Sequence, residues 1–169
     1  MTSNKWMVLA ATLASVPYVA NAQTLVTERN ISFNAANEAA TAALAQCRKD
    51  GYHVTVTVLD RSARTKVVLH DDGASPHTIE HSLRKAYTSL TYRSPSGEYG
   101  KRATSNPTGV GALHLDKIAT AEGALPIFAG KEGKELVGSI GVSGSPGGDK
   151  DTVCSQAGID RIAKGLAGG

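Results

Sequence analysis

Residues 123–149 constrain this chain more than any other stretch. Gly123-Ala124-Leu125-Pro126-Ile127-Phe128 is one short apolar run. Val137-Gly138-Ser139-Ile140-Gly141-Val142 is a second, and it breaks into Ser143-Gly144-Ser145-Pro146-Gly147-Gly148-Asp149. Residues 150–166 then read as a helix. A strand that opens through glycines into a helix leaves backbone N–H groups unpaired and outward, a place to hold an anion. No Gly-Lys-Ser/Thr follows, so this is not a phosphate loop of the Walker type, and the G-x-G-x-x-G spacing of a dinucleotide fingerprint fails. The plain alternative is a glycine-rich connection.

The rest of the chain supplies partners for those two strands. Over residues 32–50, Phe33, Ala36, Ala40, Ala43 and Cys47 recur at helical spacing, with Ser32 as cap and Gly51 as terminator. Residues 52–60 alternate and are β-branched: Val54, Val56 and Val58 share one face, Thr55, Thr57 and Leu59 the other with His53. After a turn at Arg61–Arg64, Thr65–His70 reads as the hairpin partner. Ser75 and Pro76 suit a helix start. The helix then runs to Tyr92 with Ile79, Leu83, Ala86 and Leu90 as its core stripe. Residues 93–112 are broken by Pro and Gly, with a one-turn helix expected near Glu98–Ala103. Leu113–Ile118 reads as a weak strand or short helix. Asp149 or Asp151 can cap the last helix. Hairpins imply an antiparallel sheet that the helices must cover, so the fold class is α+β with one central sheet.

The first 22 residues have the pattern of a secretory signal peptide. Lys5 is the only charge before Glu28, Met7–Ala20 is mostly apolar, and Ala20-Asn21-Ala22 fits a small-x-small cleavage site before Gln23. The apolar run of about 14 residues is too short to span a bilayer, so the protein is not expected to be membrane-embedded. The expected organisation is 1–22 signal peptide and 23–169 a single domain, periplasmic or secreted. Removing Lys5 lowers the formal charge from +3 to +2. That is too small for an electrostatic case for nucleic acid. In an oxidising compartment Cys47 and Cys154 invite a disulfide, and two buried thiols are the alternative.

His77-Thr78-Ile79-Glu80-His81 is the strongest candidate site. His77 and His81 lie on one helix face and can share a metal, or one can ligate a haem iron. Thr78 stands where a zinc protease needs Glu, which excludes that chemistry. Both histidines fall roughly opposite the Ile79/Leu83 stripe, so solvent-facing residues are the bland reading. His114, between Leu113 and Leu115, is a further candidate, with a structural role as the alternative. His70 beside Asp71 and Asp72 offers nitrogen and oxygen ligands or a solvated turn. His53 shows no partner. No nucleophile-elbow pattern is present, and Cys47 sits on a core stripe, which makes it a poor nucleophile.

From about Ile31 to Leu166 the chain resembles the GlcG/HbpS family of small haem-binding proteins, which includes the C-terminal domain of PduO-type proteins. The resemblance rests on several stretches in order. These are Ala35-Ala36-Asn37-Glu38-Ala39-Ala40, the strand Val54–Asp60, Asp72-Gly73-Ala74-Ser75-Pro76, Ile79-Glu80 with Arg84-Lys85-Ala86-Tyr87-Thr88, and Gly123–Ile127 through Gly138–Gly144. It departs at Arg61-Ser62-Ala63-Arg64, in place of a glycine-bearing turn, at Ser145-Pro146, and at His77 and His81, where relatives commonly carry small or apolar residues. The resemblance implies a profilin-like antiparallel five-stranded sheet with helices on its faces, homo-oligomers, and haem binding, in some members with haem degradation or iron sensing. In that picture His81 or His77 is the axial ligand, with His114 as a third choice. Arg84, Lys85 or the Ser143–Gly148 loop, including Ser143 and Gly144, would meet the anionic propionates. Tyr87 and Tyr92 are the nearest aromatics, which favours a shallow or subunit-interface haem site. An enzyme or accessory protein acting on a small organic acid, and a structural homo-oligomer, are the competing readings.

Overall fold

The computed structural model describes residues 25–168. The signal-peptide reading of residues 1–22 therefore lies outside the described residues. Nine elements follow one another: α1 (Phe33–Lys49), β1 (Thr55–Asp60), β2 (Thr65–His70), α2 (His77–Tyr92), α3 (Ser96–Ser105), a short 3-10 helix (Val110–His114), β3 (Ala124–Ala129), β4 (Glu135–Ser143) and α4 (Gly148–Gly168). The strands form one antiparallel sheet in the order β2-β1-β4-β3. Joining β1 to β4 puts the glycine-rich exit of β4 beside the start of β1, with Thr55 opposite Ser143.

Every residue of β1 is buried, because helices cover both faces of the sheet. On one face Val54, Val56, Val58, Ile140 and Val142 pack with Ala36, Ala39, Ala40 and Ala43 of α1 and with α4. The alanines let α1 lie close. Ser32 caps α1 by accepting from the Ala35 N–H at 3.2 Å. Cys47 of α1 and Cys154 of α4, both fully buried, form a disulfide with Cα atoms 5.6 Å apart. The pairing that the sequence left open is thus made, and it ties the two helices on that face together.

On the other face α2 buries Ala86 and Leu90 of its expected stripe, with Leu83 packed against them, and polar residues take the rest of the buried face. Thr78, Ser82, Lys85, Ala86 and Ser89 are buried, whereas Ile79 is 46% exposed. The reason is hydrogen bonding across the layer. Thr55 pairs with Thr78 at 2.7 Å, Thr57 with Ser82 at 2.8 Å, and Ser139 donates to the Ala86 carbonyl at 2.9 Å. Gly141 permits the approach, since a Cβ there would collide with the Ser82 carbonyl and the Ala86 backbone N. Phe33, expected in the α1 stripe, is likewise 59% exposed. It sits in the first turn, and the buried face begins at Ala36.

The sheet has four strands among the described residues, not the five implied by family resemblance. The segment preceding β3 satisfies its backbone through side chains rather than a ladder. Ser96 donates to the Ala121 carbonyl, the Ala119 N–H donates to Thr88, and the Ala124 N–H donates to Ser96. The helix expected as a single turn near Glu98 is the ten-residue α3. Leu113–Ile118 is neither strand nor helix throughout, since the short 3-10 helix ends at His114.

Removing the disulfide with Cys47→Ser and Cys154→Ser should lower unfolding free energy by roughly 2–5 kcal/mol, as expected for a bridge closing a long loop. Urea unfolding of wild type and variant checks this, and coincident midpoints would show that the bridge carries no stability.

Candidate functional site

The glycine-rich exit of β4 does not end in free space. A cleft of about 570 Å³ opens there between the start of α2, the β4–α4 loop and the start of α4. His77, Thr78, His81 and Lys85 line it from α2, Ser143–Gly148 from the loop, and Asp149 and Asp151 from α4. The sequence separates these groups widely, and the β1–β4 pairing with α2 across it brings them together.

At the floor lies an ion pair. Lys85 Nζ donates to Asp151 Oδ2 at 2.8 Å and to the Val142 carbonyl at 3.1 Å, and both side chains are 3% exposed. An ammonium has three donors, so one N–H of Lys85 remains beyond these two bonds. Asp151 Oδ1 accepts from both the N–H and the hydroxyl of Ser145. Asp151 therefore folds the loop inward instead of capping α4. Gly123 passes beneath with φ +127, where a Cβ would meet Lys85 Nζ, Asp151 Cβ and the Val142 carbonyl. Only glycine fits there.

This changes what the loop can offer an anion. The N–H of Ser145 is taken by Asp151, and those of Lys150 and Asp151 by the Gly147 carbonyl. Gly148 and Asp149, at the very start of α4, keep the N–H groups that a helix leaves without intrahelical partners.

His81 stands half-buried at the cleft wall, its Nδ1 3.0 Å from the hydroxyl of Ser143, which is 3% exposed. Burial, then the positive charge of Lys85 and the nearby His77, hold its pKa below the ordinary 6.5, with Asp151 opposing. His81 is thus neutral at pH 7. The bond can run either way: Nδ1–H donating to Ser143 leaves the lone pair on Nε2, the arrangement that orients ligating imidazoles, whereas a Ser143 hydroxyl donating to Nδ1 leaves Nε2 protonated. His77 is exposed, with its ring centroid 6.5 Å from that of His81. Arg84 shares a shallow depression with His77, Glu80 and His81 and pairs with Glu80 at 2.6 Å.

Other candidates lie elsewhere. His114 is exposed on the 3-10 helix and does not line the cleft. His53 has a partner after all: its Nδ1 is 3.3 Å from Asp71 Oδ2, while Arg48 bonds Asp71 Oδ1 and holds that carboxyl below its usual range. Asp71 Oδ1 is thereby committed to Arg48, Oδ2 is buried without a hydrogen bond, and His70 bonds Thr55 rather than joining Asp71 at a metal site. Among the described residues no group of three or more His, Cys, Asp and Glu is placed around a common metal position. Sequence reading missed Asp151 as a loop anchor and Thr78 as a wall residue. The signal for Thr78 was the polar spacing Thr78, Ser82, Lys85, Ser89, which has helical period; Asp151 had none.

A family model described as haem degrading protein HbpS-like matches residues 31–160. The chain belongs to the HbpS-like family. Its fold is that of crystallised HbpS, with 35% identity, a TM-score of 0.75, and 84% of this chain and 96% of that chain covered. A double glutamate-to-aspartate mutant of Streptomyces reticuli HbpS gives 34% identity, a TM-score of 0.75, and coverage of 87% and 97%. A PduOC:heme complex shares the fold at 21% identity and a TM-score of 0.68, over 79% of this chain and 95% of that one. Comparison with curated proteins found no match.

Breaking the buried pair with Lys85→Met should cost roughly 3–5 kcal/mol, since it leaves the Asp151 charge buried without its partner. Chemical denaturation measures this, and a loss below about 1 kcal/mol would mean that the pair is solvated like a surface salt bridge.

Proposed function

We propose that this protein binds haem at the β4–α4 cleft, with His81 as the iron ligand. The observation that carries this reading is the His81–Ser143 pair, which holds a half-buried imidazole at the cleft through Nδ1, so that its Nδ1–H tautomer would present the Nε2 lone pair to iron. The donor set fits the group: one oriented nitrogen for iron, with cations beside it for the propionates. Those cations are Lys85 through its remaining N–H and Arg84 of the adjoining depression, which would have to leave Glu80, with the Gly148 and Asp149 N–H groups next to Ser143 and Gly144 offsetting the Glu122 and Asp149 carboxylates of the lining. When bound, haem supplies an iron centre for redox or oxygen chemistry. The family's description as haem-degrading and the crystallised PduOC:heme complex support the choice of ligand.

The protein's own part is to present one imidazole, hold it by Ser143, and neutralise two carboxylates. Among the lining side chains only Ala121 and Pro146 are apolar. A haem there needs further apolar cover, and a second copy of the chain supplies it in a homo-oligomer. His77 is the alternative ligand on the same face. Export to the periplasm or outside the cell fits the Cys47–Cys154 bridge. The polar lining also favours a second reading, a small organic acid held by Lys85 and His81.

Haemin titration followed by absorbance tests both. A saturable Soret shift that His81→Ala abolishes and His77→Ala keeps supports the first reading. A flat haemin response with carboxylate-dependent thermal stabilisation supports the second.

Acid should release haemin late. The ligating form is the neutral imidazole, and the His81 pKa lies below 6.5. Affinity should therefore hold as pH falls through about 6.5, where an ordinary exposed histidine is half protonated, and drop only below it. A release midpoint at or above that pH would rule out His81 as ligand.

A further inference from the structure

β4 ends and α4 begins at the cleft, so the start of β4 and the end of α4 lie at the opposite end of the molecule. A groove of about 490 Å³ opens there between residues 29–31, the start of α1 and the last turns of α4. Ile31, Ala129, Val137 and Ile162 form its floor, each no more than 7% exposed, with Ala35 and Leu166 at its sides. Its two arginines are already neutralised. Arg29 pairs with Glu135 at 2.9 Å, and Arg161 lies 3.6 Å from Glu38. The groove therefore offers contact to an apolar, uncharged segment and no spare cation to an anion.

The arm that leads into this groove carries what would fill it. Leu25, Val26 and Phe33 are the three most exposed large apolar side chains among the described residues, at 83%, 76% and 59%. Residues 25–32 form neither helix nor strand. The later part of this arm is pinned: the Ile31 N–H donates to the Val137 carbonyl at 3.0 Å, and Asn30 Oδ1 accepts from the Arg61 N–H at 3.0 Å. Leu25, Val26 and Thr27 make no hydrogen bond among the described residues. Leu25 and Val26 stand in solvent, so the arm leaves its own groove unfilled. Apolar residues exposed singly are ordinary. Three of them so close in sequence, beside an apolar groove, make a patch of the kind that marks a contact surface.

We propose that two copies of this chain exchange these arms, each laying Leu25 and Val26 in the partner's groove. Arm and groove adjoin at one end of the molecule, so a single twofold axis satisfies both at once and closes the assembly. Asn34, exposed at the rim, gives an amide donor and acceptor to the incoming backbone. The neutral rim and the uncharged Leu25-Val26-Thr27 segment match each other, which favours a second copy over an anionic membrane surface. The contact lies away from the cleft, so it is separate from any contact that covers a ligand there, and it holds whatever the cleft binds.

Sedimentation of the full chain over a concentration series measures the contact. Leu25→Asp changes an exposed arm, so the circular dichroism and the haemin response should stay as in wild type. The dissociation constant should rise on the order of a thousandfold, because two leucines leave an apolar contact in each dimer. An unchanged constant, or a wild type that is monomeric throughout, overturns the exchange. Cross-linking identifies the occupant. Chains carrying Leu25→Cys mixed with chains carrying Gly165→Cys should be joined by a short bismaleimide, since Gly165 is exposed on the groove and has room for a side chain. A link that forms only within single chains carrying both substitutions shows the arm lying on its own groove and overturns the exchange, as does the absence of any link. Vesicles of phosphatidylethanolamine and phosphatidylglycerol that retain wild type but not Leu25→Asp, with sedimenting mass unchanged, would assign the arm to a membrane and overturn it too.

Discussion

The Lys85–Asp151 ion pair is the constraint on which the rest of this structure depends. Lys85 belongs to α2 and Asp151 to α4, helices that cover opposite faces of the sheet, and they meet only where β4 ends. A buried pair of this kind adds little net stability over an apolar substitute, yet it is costly to break. Its value lies in placement. With Lys85 also on the Val142 carbonyl and Asp151 on Ser145, one network sets the position of two helices, the last residue pair of β4 and the loop that leaves it. The glycine at 123 follows from the same network, since the chain must pass against the ammonium.

The polar face of α2 has a related logic. Thr78 and Ser82 sit in hydrogen-bond contact with Thr55 and Thr57, so the helix lies close and its rotation about its own axis is fixed by discrete bonds rather than by fit alone. That rotation turns His81 to the cleft edge, where Ser143 can hold it, and turns Ile79 outward.

This is also where sequence reading stops. The β1 strand, its hairpin with β2, the capped alanine-rich α1 and the glycine-rich exit of β4 all follow from period, turn chemistry and capping, which are local. The α2 face follows only in part: Leu83, Ala86 and Leu90 pack as their spacing predicts, while burial of Thr78 and Ser82 in place of Ile79 depends on threonines of a strand some twenty residues away. The segment before β3 escaped for a similar reason: side chains from Thr88 and Ser96 replace the ladder that would have made it a strand. In the site, His81, Lys85 and Ser143 were legible as chemistry-bearing residues, while the Asp151 anchor was not. A carboxylate in a first helical turn reads as a cap by default.

The glycine-rich loop carries a consequence for selectivity. A loop built to bind phosphate leaves its donors open to the ligand. Here the Asp151 carboxylate occupies the Ser145 donors, and the Gly147 carbonyl takes two more. The loop already holds an anion of its own, and Lys85 neutralises it. The same cleft is also lined by the carboxylates of Glu122 and Asp149, which repel a second anion. Internal consumption of the loop's donors, together with these charges, therefore weakens the loop as a site for a simple anion.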